Sequence, residues 1–173
     1  MALVESFDAF VRTHLPALRV EQDAKMAHYT SFRIGGGARR MAFPRTEEDV
    51  ERLLSFCREH EVPCLVIGKG TNLLISDQGL DQLVLNMLEM NAIRVEGTRV
   101  YVQAGALLSH VAVAAQKAGC AGLAFAHGIP GSLGGAVAMN AGAYGGEMKD
   151  VLEQVTVLTK EGELLTIPRE ELD

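Results

Sequence analysis

Hydrophobic positions in the first fifteen residues recur at helical spacing. Leu3, Phe7, Phe10, Val11 and Leu15 fall on one side of a helical wheel and predict an amphipathic first helix. Residues 16–27 mix polar and apolar positions around Pro16 and read as a connector. The run from His28 to Gly37 is β-prone and ends in three glycines, and RRMAFP, residues 39–44, reads as a short strand. Thr46 and Asp49 have capping-box spacing, with Glu47, Glu48 and Asp49 in the first turn. Val50, Leu53, Leu54 and Cys57 supply the buried face of the helix that follows. After Pro63, CLVI (residues 64–67) has no polar position and predicts a fully buried strand, paired in parallel with RRMAF. Residues 83–86 look like a further strand.

From Ile93 the period changes. Val95, Val100 and Val102 alternate with polar residues around Glu96-Gly97, which predicts an antiparallel hairpin. Leu107, Leu108, Val111 and Ala115 share one helical face, with Gly119 as its stop. Residues 155–157 and 164–167 form a second hairpin through Lys160-Glu-Gly-Glu163. The pattern thus divides the α/β chain into a βαβ-type subdomain, residues 1–88, and a more antiparallel one, residues 89–173, with no internal repeat.

Composition narrows the function classes. At 48% hydrophobic and 22% charged residues, the chain is an ordinary globular sequence. A net charge of −6 argues against a nucleic-acid surface. Glu5 and Asp8 stand where a secretory signal would carry Lys or Arg, so no export signal is expected. Cys57, Cys64 and Cys120 have neither CxxC nor zinc spacing and read as small core residues in a reducing cytoplasm. Neither a metal site nor a membrane insertion is expected, since Pro130 and paired glycines interrupt the most apolar stretch.

That stretch, residues 118–146, is the centre of the chain: AGCAGLAFAHGIPGSLGGAVAMNAGAYGG contains no charged acid or base, and nine of the chain's 18 glycines. It cannot grip a charged ligand by salt bridges. Glycine-lined backbone amides can hold phosphate oxygens, and close backbone packing is the alternative reading. A second glycine loop, Gly68-Lys-Gly-Thr-Asn-Leu73, leaves the CLVI strand. It is neither a P-loop nor a dinucleotide fingerprint, because Leu73 replaces the third glycine. Thr71 and Asn72 are side-chain donors there, and Lys69 either adds charge near a pyrophosphate or projects into solvent.

Three motifs, His28-x-Thr-Ser-Phe-x-Ile-Gly-Gly, Gly68-x-Gly-Thr-Asn-Leu-Leu74 and Gly128-Ile-Pro-Gly-Ser-x-Gly-Gly-Ala followed by Met139-Asn-Ala-Gly-Ala-Tyr-Gly-Gly-Glu147, occur in one order. Together they resemble the bacterial UDP-N-acetylenolpyruvoylglucosamine reductase family, over nearly the whole chain from His28. The resemblance implies an α/β (α+β) fold of the vanillyl-alcohol-oxidase/p-cresol-methylhydroxylase type, with FAD between two subdomains and NADPH as electron donor. The substrate it implies is a small UDP-sugar enolpyruvyl ether, reduced to UDP-N-acetylmuramate for peptidoglycan. Carried over by position, Gly68, Lys69, Gly70, Thr71, Asn72 and Leu73 wrap the FAD pyrophosphate. Ile129, Gly131, Ser132, Gly134, Gly135 and Ala136 line the cofactor further along, with Asn140, Ala141 and Gly142 near the flavin. Tyr144 and Glu147 either reach substrate or are ordinary surface-loop residues. His127 reads as a hydrogen-bonded structural residue, not a catalytic base.

Gly37 stands where the family often has proline, and Ala124 where it often has an acid. The family's aromatic-Tyr-Arg motif, its serine proton donor and its glutamate are expected beyond Asp173. The sequence therefore reads as the FAD-binding portion, without catalytic residues and inactive alone. The alternatives are another FAD-dependent oxidase on the same fold, where His127 is the nearest residue for a covalent flavin link, and a non-catalytic nucleotide-binding module.

Overall fold

The computed structural model describes residues 2–172 and separates into two compact units, divided after Met90. In the first unit, α1 (Ala2–His14) and α2 (Glu47–Glu59) pack on a four-stranded sheet built from β1 (Arg19–Lys25), β2 (Gly37–Phe43), β3 (Cys64–Ile67) and β4 (Leu83–Asn86). The strand order is β1-β2-β4-β3; β1 runs antiparallel to β2, while β4 is parallel to both β2 and β3.

Strand alternation sends side chains to both faces. Ala42, Leu83 and Leu85 join Phe7, Leu53 and Phe56 in the cluster under the helices. Met41, Phe43 and Val84 join Ile67 and Ile75 on the other face, where Tyr29, Leu73 and Leu80 close the layer. One face is therefore covered by helices and the other by the loops that carry the first two motifs.

The capping box forms as read: Thr46 Oγ1 accepts from the Asp49 amide at 3.1 Å, and Asp49 Oδ2 accepts from the Thr46 amide at 3.1 Å. Arg40 on β2 makes a two-pronged ion pair with Asp8 on α1, at 2.7 and 2.6 Å. Glu89 accepts from both Arg19 (3.1 Å) and Arg45 (2.7 Å), and the Arg19 guanidinium lies 3.8 Å over the Phe43 ring.

Four expectations change in this unit. The connector of residues 16–27 contains β1, an edge strand whose mostly exposed positions leave little hydrophobic alternation to read. The run 28–37 is not a strand: it leaves the 3₁₀ turn Met26–His28 through bends and a turn and enters β2 only at Gly37, with Gly36 held by backbone bonds to Met26 and Ser76. RRMAF and CLVI are parallel but not neighbours, since β4 lies between them. The CLVI strand is not fully buried: it is the sheet edge, and Val66 is 52% exposed.

The second unit holds the hairpin β5 (Ile93–Glu96)–β6 (Arg99–Val102), α3 (Leu108–Lys117), the short α4 (Leu133–Ala138), the two-residue pair β7 (Gly142–Ala143)–β8 (Gly146–Glu147), the single turn α5 (Met148–Val151) and the hairpin β9 (Gln154–Leu158)–β10 (Leu164–Pro168). Both long hairpins and α3 fall where the hydrophobic pattern places them. Leu107 is the N-cap of α3 and only half-buried, whereas Leu108, Val111 and Ala115 are buried. The core is small: Leu108, Phe125, Ala126, Ala136 and Met148, with Leu133, Val137 and Ala141 packed against it.

Candidate functional site

The first glycine loop begins where β3 ends. Gly70 adopts φ +68°, and a Cβ built there would lie 1.9 Å from the Tyr29 carbonyl oxygen. Only glycine fits a positive φ with backbone this close. The Ser31 amide donates to the Gly70 carbonyl at 3.0 Å, so the His28 motif supports the Gly68 motif directly. Thr30 beside it is buried, and its hydroxyl donates to the Ile34 carbonyl at 3.3 Å.

The fit to an anionic group rests on the donors this arrangement leaves. Among the described residues, none accepts a hydrogen bond from the amides of Lys69, Gly70, Thr71 or Asn72. Residues 64–76 contain no carboxylate, and Lys69 is their one charged side chain. Lys69 and Asn72 are exposed, Thr71 half-buried and Gly70 buried; unpaired backbone donors at the exposed positions of a strand end, free of negative charge, suit pyrophosphate oxygens. The donor set fits FAD.

In the second unit, the start of α4 is pinned to the segment before α3. The Leu133 amide donates to the Ala106 carbonyl and the Gly134 amide to the Ala104 carbonyl, each at 2.8 Å, while the Leu108 amide donates to the Gly131 carbonyl at 3.1 Å. A Cβ on Gly134 would lie 2.8 Å from the Ala104 Cβ, so this glycine permits close packing. Leu133 and Gly134 therefore have no amide to offer a ligand. Ala136 packs into the core, and Ile129 and Ala141 pack against it. Ser132 is buried at the N-cap, Gly131 is half-buried, and Gly135 and Gly142 are exposed.

Asn140 and Glu147 are brought together. Asn140 has φ +42°; its Nδ2 donates to Glu147 Oε2 at 2.8 Å, and its Oδ1 accepts from the Lys149 amide at 3.0 Å. Glu147 also pairs with the Lys149 ammonium at 2.6 Å, which raises the Lys149 pKa. The Asn140 side chain thus clasps the base of the β7–β8 pair. Tyr144 stands at the tip of that pair at φ +53°, with 97% of its surface exposed.

His127 departs from the expectation of a hydrogen-bonded structural residue. It lies in the 3₁₀ segment Ala124–Gly128, where Phe125 and Ala126 take the inward positions and leave the histidine exposed. Its ring has no hydrogen-bond partner among the described residues. The residues that sequence reasoning missed are Tyr29, whose carbonyl fixes Gly70, and Ala104 and Ala106, whose carbonyls hold α4. They act through backbone, so no side-chain pattern could reveal them. A separate cavity of about 330 Å³ in the first unit, lined by Val4, Glu5, Asp8, Asp23, Arg39 and Arg40, has its arginines paired with Asp81 and Asp8.

The FAD binding domain family matches residues 38–168. A UDP-N-acetylenolpyruvoylglucosamine reductase of Lactobacillus delbrueckii subsp. bulgaricus is 46% identical over 155 residues, covering 90% of this chain and 52% of that protein. Its counterpart in Clostridium novyi is 42% identical over 154 residues, covering 89% and 50%. Among solved structures, UDP-N-acetylenolpyruvylglucosamine reductase from Thermus caldophilus superposes with a TM-score of 0.74 at 34% identity, over 89% of this chain and 54% of that one. An alkyldihydroxyacetonephosphate synthase superposes at 0.70 with 19% identity, over 96% and 34%, and shows the fold alone. The chain spans about half the length of the curated relatives it matches. With a family match across most of its length, on a mixed α/β fold whose first glycine loop presents free amides, the chain belongs to the FAD binding domain family.

Proposed function

We propose that this chain is the FAD-binding part of a UDP-N-acetylenolpyruvoylglucosamine reductase, an NADPH-dependent oxidoreductase that reduces UDP-N-acetylglucosamine enolpyruvate to UDP-N-acetylmuramate. The observation that carries this reading is the acid-free run of amides without an acceptor from Lys69 to Asn72, exposed at Lys69 and Asn72, at the end of β3. Similarity to reductases at 46% and 42% identity supports this activity over others on the same fold. Bound FAD would supply the hydride relay between NADPH and the enolpyruvyl double bond.

The chain's own residues bind and orient. The amides of residues 69–72 hold the pyrophosphate, helped by the Thr71 hydroxyl and the Asn72 amide group, with Lys69 as a long-range positive charge. In the second unit, Gly131, Ser132, Gly135 and Gly142 offer backbone to the cofactor. Ile129, Gly134, Ala136 and Ala141 shape that backbone from behind, and Asn140 fixes Glu147. Tyr144 and Glu147 face the substrate. Residues 1–88 and 89–173 act as two FAD-binding subdomains of a cytoplasmic enzyme. No helix among the described residues is long and apolar enough to cross a membrane. The groups that donate a proton and stabilise developing charge come from a further domain, so the chain alone turns over no substrate.

The test is an absorbance spectrum after incubation with FAD and desalting, followed by an NADPH consumption assay with the enolpyruvyl substrate. Retained flavin bands and no substrate-dependent consumption are expected. A folded but colourless protein sinks the cofactor reading, and turnover by the chain alone sinks the division of labour.

A further inference from the structure

The Tyr29 carbonyl oxygen occupies the space that a Cβ on Gly70 would need, and the Ser31 amide, two residues on, holds the Gly70 carbonyl at 3.0 Å. Tyr29 is itself held from the sheet. Its hydroxyl donates to Glu21 Oε2 on β1, and its ring centroid lies 6.0 Å from that of Phe43 on β2. The Arg19 guanidinium reaches the same Glu21 oxygen at 3.5 Å and lies 3.8 Å over the Phe43 ring. Burial first, then the bond to Glu21, raises the Tyr29 phenol above its ordinary pKa, so it remains a donor at neutral pH. Tyr29 is thus a strut, with its side chain fixed to β1 and its backbone pressed on the Gly70 turn. A binding loop keeps its geometry only where the groups behind it are locked in turn.

We propose that Glu21 is a positioning residue of the Gly68 loop: by holding the Tyr29 hydroxyl it sets the Tyr29 carbonyl against Gly70 and fixes the amides of residues 69–72. Its consequence for the cofactor rests on the FAD reading of that loop. Glu21 lies outside the three motifs and acts only through Tyr29. The sign of its effect is diagnostic. Removing a carboxylate from a chain of net charge −6 favours an anionic ligand by long-range charge, whereas loss of positioning weakens binding.

The experiment titrates the full chain and its variants with FAD, read by flavin fluorescence. Affinity should fall roughly tenfold in Glu21→Ala and in Tyr29→Phe, the loss of one hydrogen bond to a charged group. The double variant should lose no more than either alone, because both cut the same strut. Glu21→Gln keeps an acceptor oxygen and should restore parental affinity. Asp8→Asn, which loosens α1 on β2 in the same unit, should leave affinity unchanged. Without flavin, brief trypsin digestion should raise the ratio of cleavage after Lys69 to cleavage after Arg58 in Glu21→Ala and Tyr29→Phe, but not in Asp8→Asn. Parental FAD affinity in Glu21→Ala, or an equal loss in Asp8→Asn, would overturn the proposal. A parent that binds no FAD removes the FAD reading instead. The trypsin ratio then decides whether Glu21 holds the loop, and an unchanged ratio in Glu21→Ala overturns that too.

Discussion

Gly70 and Gly97 make a matched pair, because each has φ near the left-handed minimum, +68° and +60°. An L side chain pays about 1 kcal/mol for that backbone at either position. Their surroundings differ: a Cβ at Gly97 meets nothing within 4 Å, whereas one at Gly70 meets Tyr29 backbone at 1.9 Å. A main-chain carbonyl cannot swing aside like a side-chain end. Gly97→Ala should therefore cost about 1 kcal/mol in urea unfolding, and Gly70→Ala at least about 2 kcal/mol, through the added clash. Gly70→Ala should also lose FAD on desalting, because any relaxation displaces the amides of residues 69–72. Equal stabilities for the two variants would show that the Tyr29 contact does not constrain the loop.

At the scale of elements, the bond between α1 and β2 has a pH signature. Its bidentate hydrogen bonding to Arg40 holds Asp8 below the usual carboxylate range, against a smaller opposing cost of burial. A carboxylate depressed on folding contributes stability that is fully present above its unfolded value of about 3.9 and is lost as pH falls through the lower folded value. Asp8→Asn should accordingly destabilise the chain by about 1–2 kcal/mol at pH 7, and the gap to the parent should shrink below about pH 4. Urea melts of both proteins at pH 7 and pH 3 read this directly, and a pH-independent gap would discount the ion pair. The elements themselves were legible where one face is buried and the other wet. The 3.6-residue period found α1 and α2, the Thr46–Asp49 spacing found the cap, and Glu96-Gly97 found the β5–β6 turn. Strands at the sheet edge were not legible in that way. β1 exposes most of its positions, and Val66 is apolar yet exposed, so burial could not be inferred from polarity at either. Strand order was hidden as well, because parallel direction does not say which strand lies next to which. The glycine motifs located the candidate site, but only the hydrogen bonds separate the available amides of residues 69–72 from those of Leu133 and Gly134, which already have partners.

For the molecule as a whole, the question is how a chain with net charge −6 holds an anionic dinucleotide. Long-range charge opposes binding, so attraction must come from short-range donors placed where acids are absent, as in residues 64–76 and 118–146. Such binding acts on the folded state alone and should appear as thermal stabilisation. At free FAD one hundred times its dissociation constant, linkage adds about 2.7 kcal/mol, which corresponds to a rise in Tm of roughly 5–10 °C for a chain of this size. Riboflavin shares the isoalloxazine but lacks the phosphates, so it should raise Tm far less at equal concentration. The FAD shift should also survive moderate salt, since screening weakens the net repulsion along with any help from Lys69. A riboflavin shift equal to that of FAD would mean that the ring system carries the affinity and the glycine loops do not hold the pyrophosphate. No shift with either, in a chain that melts cooperatively, would mean that these loops pack backbone and bind no flavin without further polypeptide.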